Sequence, residues 1–231
     1  MLVREEYLDE VLGILRASSV ATVYSLLGES RAKHLLSGVK PLSPEMKVVG
    51  PAITIQYISY EDALKENFRG NAVYDAYDLV GGGEVIVAAS LNRSDVGVFG
   101  DCITFGFKCR GAAGIVTDGG IRDSPYIMKL NFPVFARGTT PEHIGGAIVP
   151  YKVNVEVECA GVRIRPGDIV MGDADGVIAI PVERAREIAH KAEEVELKED
   201  AIRRMIASGI PLRDAYPPKP DLLEKFLKRK R

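Results

Sequence analysis

Apolar residues recur along the chain with two different periods, and the change from one to the other divides it into regions. Between Glu5 and Ala17, Leu8, Val11, Leu12 and Leu15 fall at helical spacing, and a second helix is predicted from Ser19 to about Gly28. Val48 to Ile58 reads as a long strand broken at Gly50-Pro51, because proline has no N–H to give to a ladder. Gly81-Gly82-Gly83 leads into Glu84 to Ala89, a short apolar run that predicts a buried strand. These glycines precede a strand instead of following one, so they do not form a dinucleotide-binding turn.

The middle of the chain alternates. Gly97 to Asp101 opens a helix ending near Arg110-Gly111, Gly114 to Thr117 is a strand, Asp118-Gly119-Gly120 a turn, Arg122 to Leu130 a helix and Pro133 to Ala136 a strand. Beyond Pro150 short alternating strands follow at Lys152 to Val157, Val162 to Ile164, Asp168 to Met171 and Val177 to Ile180, joined by Arg165-Pro166-Gly167 and Asp173-Ala174-Asp175-Gly176. A highly charged helix from about Glu183 to Ser208 is stopped by Gly209. The predicted class is α/β with layered sheets: a parallel-type centre, an antiparallel hairpin region and helices at both ends. Residues 1–231 read as one domain, with N-terminal helices over 1–30 and a C-terminal helical extension over 183–231, packed on it or on a neighbouring subunit.

Composition narrows the function. With 231 residues, 46% of them hydrophobic, the chain can bury a core without disulfides or a structural metal. A formal net charge of -2 gives no electrostatic reason to expect nucleic acid or anionic lipid. The basic cluster Lys225, Lys228, Arg229, Lys230 and Arg231 reads as a solvated tail. No apolar run approaches the roughly 18 residues of a membrane span, and Met1 to Glu6 lacks a signal-peptide pattern, so a cytoplasmic location is expected. Cys102, Cys109 and Cys159, dispersed among small or apolar neighbours, read as buried thiols in a reducing compartment. His34, His143 and His190 lie far apart in sequence, which argues against a His-based metal site or triad.

Polar residues among glycines concentrate between Gly97 and Asp123. Asp101 and Arg122-Asp123 each stand at a predicted helix start, where free N–H groups and a positive dipole end favour an anion such as an oxoacid carboxylate. Capping is the alternative role for both aspartates. Arg122 serves a cap poorly and suits bidentate carboxylate recognition. Asp118, Asp168, Asp173 and Asp175 read as turn residues. Glu61, Asp62, Tyr74, Asp75, Tyr77 and Asp78 read as a solvated acidic surface, with shaping of a substrate pocket as the alternative.

Asp101, twenty intervening residues, then Arg122-Asp123 is similar to the signature of class II pyruvate aldolases of the 4-hydroxy-4-methyl-2-oxoglutarate/4-carboxy-4-hydroxy-2-oxoadipate type, within the RraA-like family. Further blocks resemble the family in order: Gly38-Val39-Lys40-Pro41-Leu42, Val49 to Thr54, Arg110 to Gly120, Phe132 to Ala136, Arg165-Pro166-Gly167-Asp168 and Asp173 to Val177. Tyr24-Ser25-Leu26 departs from the Asp-Ala pair common in the family's second helix.

The resemblance implies a β/β/α layered fold assembled as homotrimers or homohexamers with active sites between subunits. It implies Mg2+ or Mn2+ ligated by Asp123, and an oxoacid substrate whose pyruvyl carboxylate and C2 oxygen are held by Arg122. Backbone amides of Gly97, Val98, Phe99, Gly100 and Asp101 would face that carboxylate, and Asp101 would reach the metal through water. A glutamate of a neighbouring subunit, matched best by Glu199 with Glu196 and Glu194 as alternatives, would complete the outer sphere. Such an enzyme cleaves a 4-hydroxy-2-oxoacid to pyruvate and decarboxylates oxaloacetate through the same enolate. A second branch of the resemblance is a non-catalytic regulator that binds a ribonuclease; those proteins generally carry glycine where this chain has Asp101.

Overall fold

The computed structural model describes residues 2–228. The predicted tail Arg229-Lys230-Arg231 and the first residue lie outside them. Helix α1 (Leu2–Ala17) is followed by α2 (Val20–Leu26), whose N-terminus is capped by Ser19 accepting from the Thr22 amide, and then by a 3-10 segment (Gly28–His34).

The large sheet has eight strands. β2 (Val48–Ser59), β3 (Val85–Ala89), β5 (Gly114–Thr117) and β7 (Val134–Ala136) run parallel, and β1 (Lys40–Pro41) closes one edge antiparallel to β7. On the far side of β2 lie β12 (Ile169–Asp173) and β9 (Ile148–Val153), both antiparallel to it, with β13 (Gly176–Ile180) beyond β12. The end strands β1 and β13 touch, so the sheet curls into a near-closed barrel. A hairpin of β10 (Val157–Cys159) and β11 (Val162–Ile164) plugs it.

Period-two alternation explains the packing. In β3, Val85, Val87 and Ala89 point into the barrel with Phe135, Val162 and Val177, while Ile86 and Ala88 point outward. The outward face is covered by α4 (Ala72–Leu79), α5 (Asp101–Arg110) and α6 (Ser124–Lys129). With both faces buried the strand reads as a continuous apolar run, as parallel strands do. On the antiparallel side, α1, α2 and α7 (Val182–Ala207) cover Ile169, Ile178 and Ile180. The C-terminal helices α8 (Leu212–Ala215) and α9 (Pro220–Lys228) fold back on the end of α7 around Met205 and Phe226. No helix among the described residues is long and apolar enough to cross a membrane.

A second sheet of three short parallel strands carries the candidate site. β4 (Gly97–Phe99), β6 (Gly120–Ile121) and β8 (Gly138–Thr139) follow β3, β5 and β7 respectively and repeat their lateral order. The junction is tied by Asp118, a fully buried carboxylate that accepts from the Ser90 amide (2.6 Å) and hydroxyl (2.7 Å) and from the Asn92 and Ala160 amides (both 3.2 Å).

Several expectations are corrected. β2 runs unbroken through Gly50-Pro51: Ala52 donates to the Asp168 carbonyl, so the missing proline N–H faces the other side, where β3 begins only opposite Ala52. Gly50 is required there, because a Cβ would lie 2.1 Å from the Gly83 carbonyl oxygen. Gly97–Phe99 is a strand and not the opening of a helix, and Arg122 precedes α6 instead of lying in it. The strand placed at Lys152 to Val157 is divided by Asn154, whose φ of 51° ends β9. Helix α3 (Tyr60–Lys65), capped by Ser59, and α4, capped by Asn71, occupy a stretch for which no element was predicted. Glu61, Asp62, Asp75 and Asp78 are exposed on them. Cys102 and Cys109 are exposed, and only Cys159 is the buried thiol expected.

Candidate functional site

Loops leaving the C-terminal ends of β4, β6 and β8 meet at one edge of the small sheet, the end at which parallel α/β sheets place their ligands. Arg122 leaves β6 with its amide donating to the Phe99 carbonyl at 2.9 Å. Its side chain lies flat on Gly97: a Cβ at that position would be 2.0 Å from Arg122 Cγ and 2.6 Å from Cδ. Gly97 is thus the only residue type that leaves room for this stem.

The Arg122 guanidinium has no side-chain hydrogen bond or ion pair among the described residues, and its Nε is buried without any partner. Burying a cationic donor unsatisfied is costly, so the group is set to receive an anion. The Arg122 side chain and Asp123, Ser124 and Thr139 line a cleft of about 310 Å3.

Asp123 has left-handed backbone angles (φ 58°, ψ 29°), a conformation a non-glycine residue holds only under local constraint. It precedes α6, yet its side chain makes no capping hydrogen bond. Its carboxylate lies instead against Gly100, where a Cβ would be 2.8 Å from Oδ2. For Asp123 the structure does not bear out the capping alternative.

Asp101 begins α5 and is half-buried. Its Oδ1 accepts from the Cys102 amide at 2.7 Å, so it does serve the helix start. The Cys102 thiol is held above its ordinary pKa by its hydrogen bond to Asp101, then by the Asp101 charge, by slight desolvation and by the charge of Asp123. Asp123 Oδ2, packed on Gly100, lies next to the residue that precedes Asp101. The first helical bond of α5 runs from Thr104 to the Gly100 carbonyl, leaving the amides before it without intrahelical acceptors.

Not every predicted site residue faces this edge. The Gly97 amide donates to the Glu142 carbonyl at 3.0 Å and is not available to a ligand. Val98 and Phe99 send their side chains into the core. Of the two helix starts expected to converge, α6 has six residues and only α5 presents a sizeable dipole. Glu199 stands exposed on α7, paired with Arg203 at 3.4 Å, on the side of the molecule that packs on α1 and α2. Glu196 accepts from the Ser19 amide (3.0 Å) and the Thr22 hydroxyl (2.9 Å), and Glu194 is exposed. Within one chain, none of the three joins Arg122 and Asp123.

The remaining aspartates are structural. Asp168 accepts from the Arg165 and Val182 amides, and Asp173 from the Val20 and Asp175 amides, which ties the turns to the starts of α7 and α2. Sequence reasoning did not find Thr139 or Ser124. Among the described residues no group of three or more His, Cys, Asp or Glu is assembled for a metal.

A family model described as RraA-like, Aldolase/RraA, matches residues 20–179. A protein of Halalkalibacterium halodurans named "Putative 4-hydroxy-4-methyl-2-oxoglutarate aldolase" is 37% identical over 190 residues, covering 79% of this chain and 83% of that protein. The crystal structure of an uncharacterized protein from Pseudomonas syringae pv. tomato superposes with a TM-score of 0.79 at 29% identity, covering 90% of this chain and 97% of that one. Streptomyces coelicolor RraAS2, described as an unusual member of the RNase ES inhibitor RraA protein family, matches at 34% identity and a TM-score of 0.75, covering 84% of this chain and 96% of that one.

Proposed function

This chain belongs to the RraA-like family, and from that premise we propose that it is a divalent-metal-dependent lyase that releases pyruvate from a 4-hydroxy-2-oxoacid and decarboxylates oxaloacetate through the same enolate. The observation that carries the reading is the Arg122 side chain, bare of any protein anion, its stem fixed on Gly97 and lining one cleft with Asp123.

The donor chemistry fits Mg2+ or Mn2+. Asp123 offers a hard oxygen that no hydrogen bond or ion pair occupies, and a hard cation that keeps most of its waters needs few protein carboxylates. Asp123 would hold the ion directly and Asp101 through water, with Glu199 of a neighbouring subunit completing the set in a homotrimer or homohexamer. Bound there, the cation supplies Lewis-acid stabilisation to the oxygens of the developing enolate.

The chain's own residues account for the other parts of the reaction. The planar fork of Arg122 binds the C1 carboxylate and C2 oxygen together, placing fixed positive charge where negative charge develops. Amides at the start of α5 add donors to the same carboxylate. Asp101 would take the C4 hydroxyl proton, directly or through water. The C3–C4 bond breaks with its electron pair passing to the pyruvyl fragment, C4 leaves as a carbonyl compound, and a proton returned to C3 gives pyruvate. No Schiff-base lysine is needed.

The test is pyruvate release by the purified chain, with Mg2+ or Mn2+, from 4-hydroxy-4-methyl-2-oxoglutarate and from oxaloacetate. The likeness to RraAS2 supports a second reading, a non-catalytic regulator that binds a ribonuclease. Tight ribonuclease binding with no release from a panel of such oxoacids selects it over the lyase.

A further inference from the structure

A second cleft, also about 310 Å3, opens beside the helix that carries Asp101, lined by Tyr74 and Tyr77 of α4 and by Cys102, Ile103, Gly106 and Phe107 of α5. That volume stands at the lower end of the roughly 300–1,000 Å3 of small-molecule sites, room for a short alkyl chain or one aromatic ring.

Gly106 is out of place by local rules. It lies inside a ten-residue helix, where glycine is less stable than alanine. Close packing does not require it: a Cβ would meet the Tyr77 ring at 3.6 and 3.9 Å, ordinary contact distances. Its effect is to keep the space between α4 and α5 open.

The side chains lining the cleft carry no charge, and the charged groups near it lie outside the lining. The Arg110 guanidinium is 5.6 Å from the centroid of the Tyr77 ring and donates to the Asp78 carbonyl, and Lys108 donates to the Leu130 carbonyl. Helix α4 sets Asp75 and Asp78 next to its two tyrosines. A ligand carboxylate entering here would find no cationic side chain in the lining.

The cleft shares no lining residue with the one beside Arg122 and Asp123, but it reaches the first turn of α5, next to Asp101. Cys102, which lines the cleft, follows Asp101, and its backbone amide donates to that carboxylate at 2.7 Å. The Phe107 floor packs edge-on against Phe99 (6.1 Å, 89°), whose carbonyl receives the Arg122 amide.

Resting on the aldolase reading above, we propose that this cleft seats the part of the substrate beyond the cleaved bond, and that this part is uncharged and apolar. The substrate class is a 4-hydroxy-2-oxoacid whose C4 carries a short alkyl chain or an aromatic ring. The C3–C4 bond breaks, the C4 hydroxyl loses its proton, and the products are pyruvate and the matching aldehyde, with no net oxidation or reduction.

The experiment runs the full chain with Mg2+ or Mn2+ in the addition direction, with pyruvate and either hexanal, benzaldehyde or glyoxylate, reading the 4-hydroxy-2-oxoacid by mass spectrometry. Oxaloacetate decarboxylation, which needs only the pyruvyl grip, is measured alongside. The expected result is a kcat/KM at least tenfold higher for hexanal or benzaldehyde than for glyoxylate. Gly106→Leu, which fills the cleft, lowers the ratio of apolar addition to decarboxylation at least tenfold. Tyr74→Asp, at a side chain 61% exposed, lowers the same ratio without a buried change. Decarboxylation with a preference for glyoxylate, or variants that leave the ratio unchanged while altering the oligomeric state, overturn this proposal and spare the aldolase reading. No turnover at all, decarboxylation included, removes both.

Discussion

Replacing Gly97 by alanine separates the position of Arg122 from its chemistry. The added Cβ would stand 2.0 Å from Arg122 Cγ, 2.6 Å from Cδ and 3.1 Å from Cβ. Non-bonded carbons rest roughly 3.5–4.0 Å apart, so one side has to give by about 1.5 Å. The strand is held at both ends of its span, by the Gly97 amide on Glu142 and by the Phe99 carbonyl under the Arg122 amide. The arginine stem is the softer side and moves. A misplacement of about 1 Å in a group that orients substrate costs on the order of 100-fold in rate, which is about 2.7 kcal/mol of transition-state stabilisation. Gly97→Ala is therefore expected to lower kcat/KM for pyruvate release about 100-fold, with an overpacking cost of about 1–3 kcal/mol in urea unfolding and unchanged far-UV circular dichroism. Added to Arg122→Ala, it should change the rate little further, because the displaced group is already gone. Parental turnover in a folded Gly97→Ala protein refutes the placement of Arg122 on this strand.

Other outcomes follow from the same geometry. Arg122→Lys keeps the fold and loses about 100-fold or more in pyruvate release, since a point charge does not replace the fork; near-parental steady-state rates contradict the role. Asp118→Ala strands three backbone amides at the junction of the sheets and is expected to cost about 3–5 kcal/mol in urea unfolding, with a loss below about 1 kcal/mol counting against it. Gly106→Ala should raise stability by about 0.5–1 kcal/mol, read as a higher Tm, because no neighbour opposes a Cβ there. At neutral pH Asp101→Asn should speed alkylation of Cys102, since the hydrogen bond and charge of Asp101 keep the thiol protonated; an unchanged rate by mass spectrometry rejects that coupling.

What the sequence revealed depended on how local the cause was. The barrel strands were legible because side-chain alternation and β-branched runs are written into a few consecutive residues, as in Val85 to Ala89. Arg122 stood out for a similar reason, as a guanidinium at a glycine-rich turn with no local use for its charge. Asp118 looked like a turn residue, but its donors lie on Ser90, Asn92 and Ala160, distant segments that only folding brings together. The pairing of Gly97 with the Arg122 stem is likewise invisible in the chain, because neither residue carries a sign of the other. Helix α4 was missed although Asn71 followed by Ala72, Val73 and Ala76 is a capped, helically spaced pattern. The exposed Cys102 and Cys109 show the limit of reading burial from apolar neighbours, since α5 turns those two positions outward.

Three strands that leave the barrel, break, and resume as a separate small sheet give the molecule a division of labour. The barrel acts as a chassis whose interior is packed without positions 100–101, 122–124 and 139–141, so those tips can be re-tooled without reopening the core. Relatives named for an aldolase and for a ribonuclease inhibitor can then share one chassis at comparable identity.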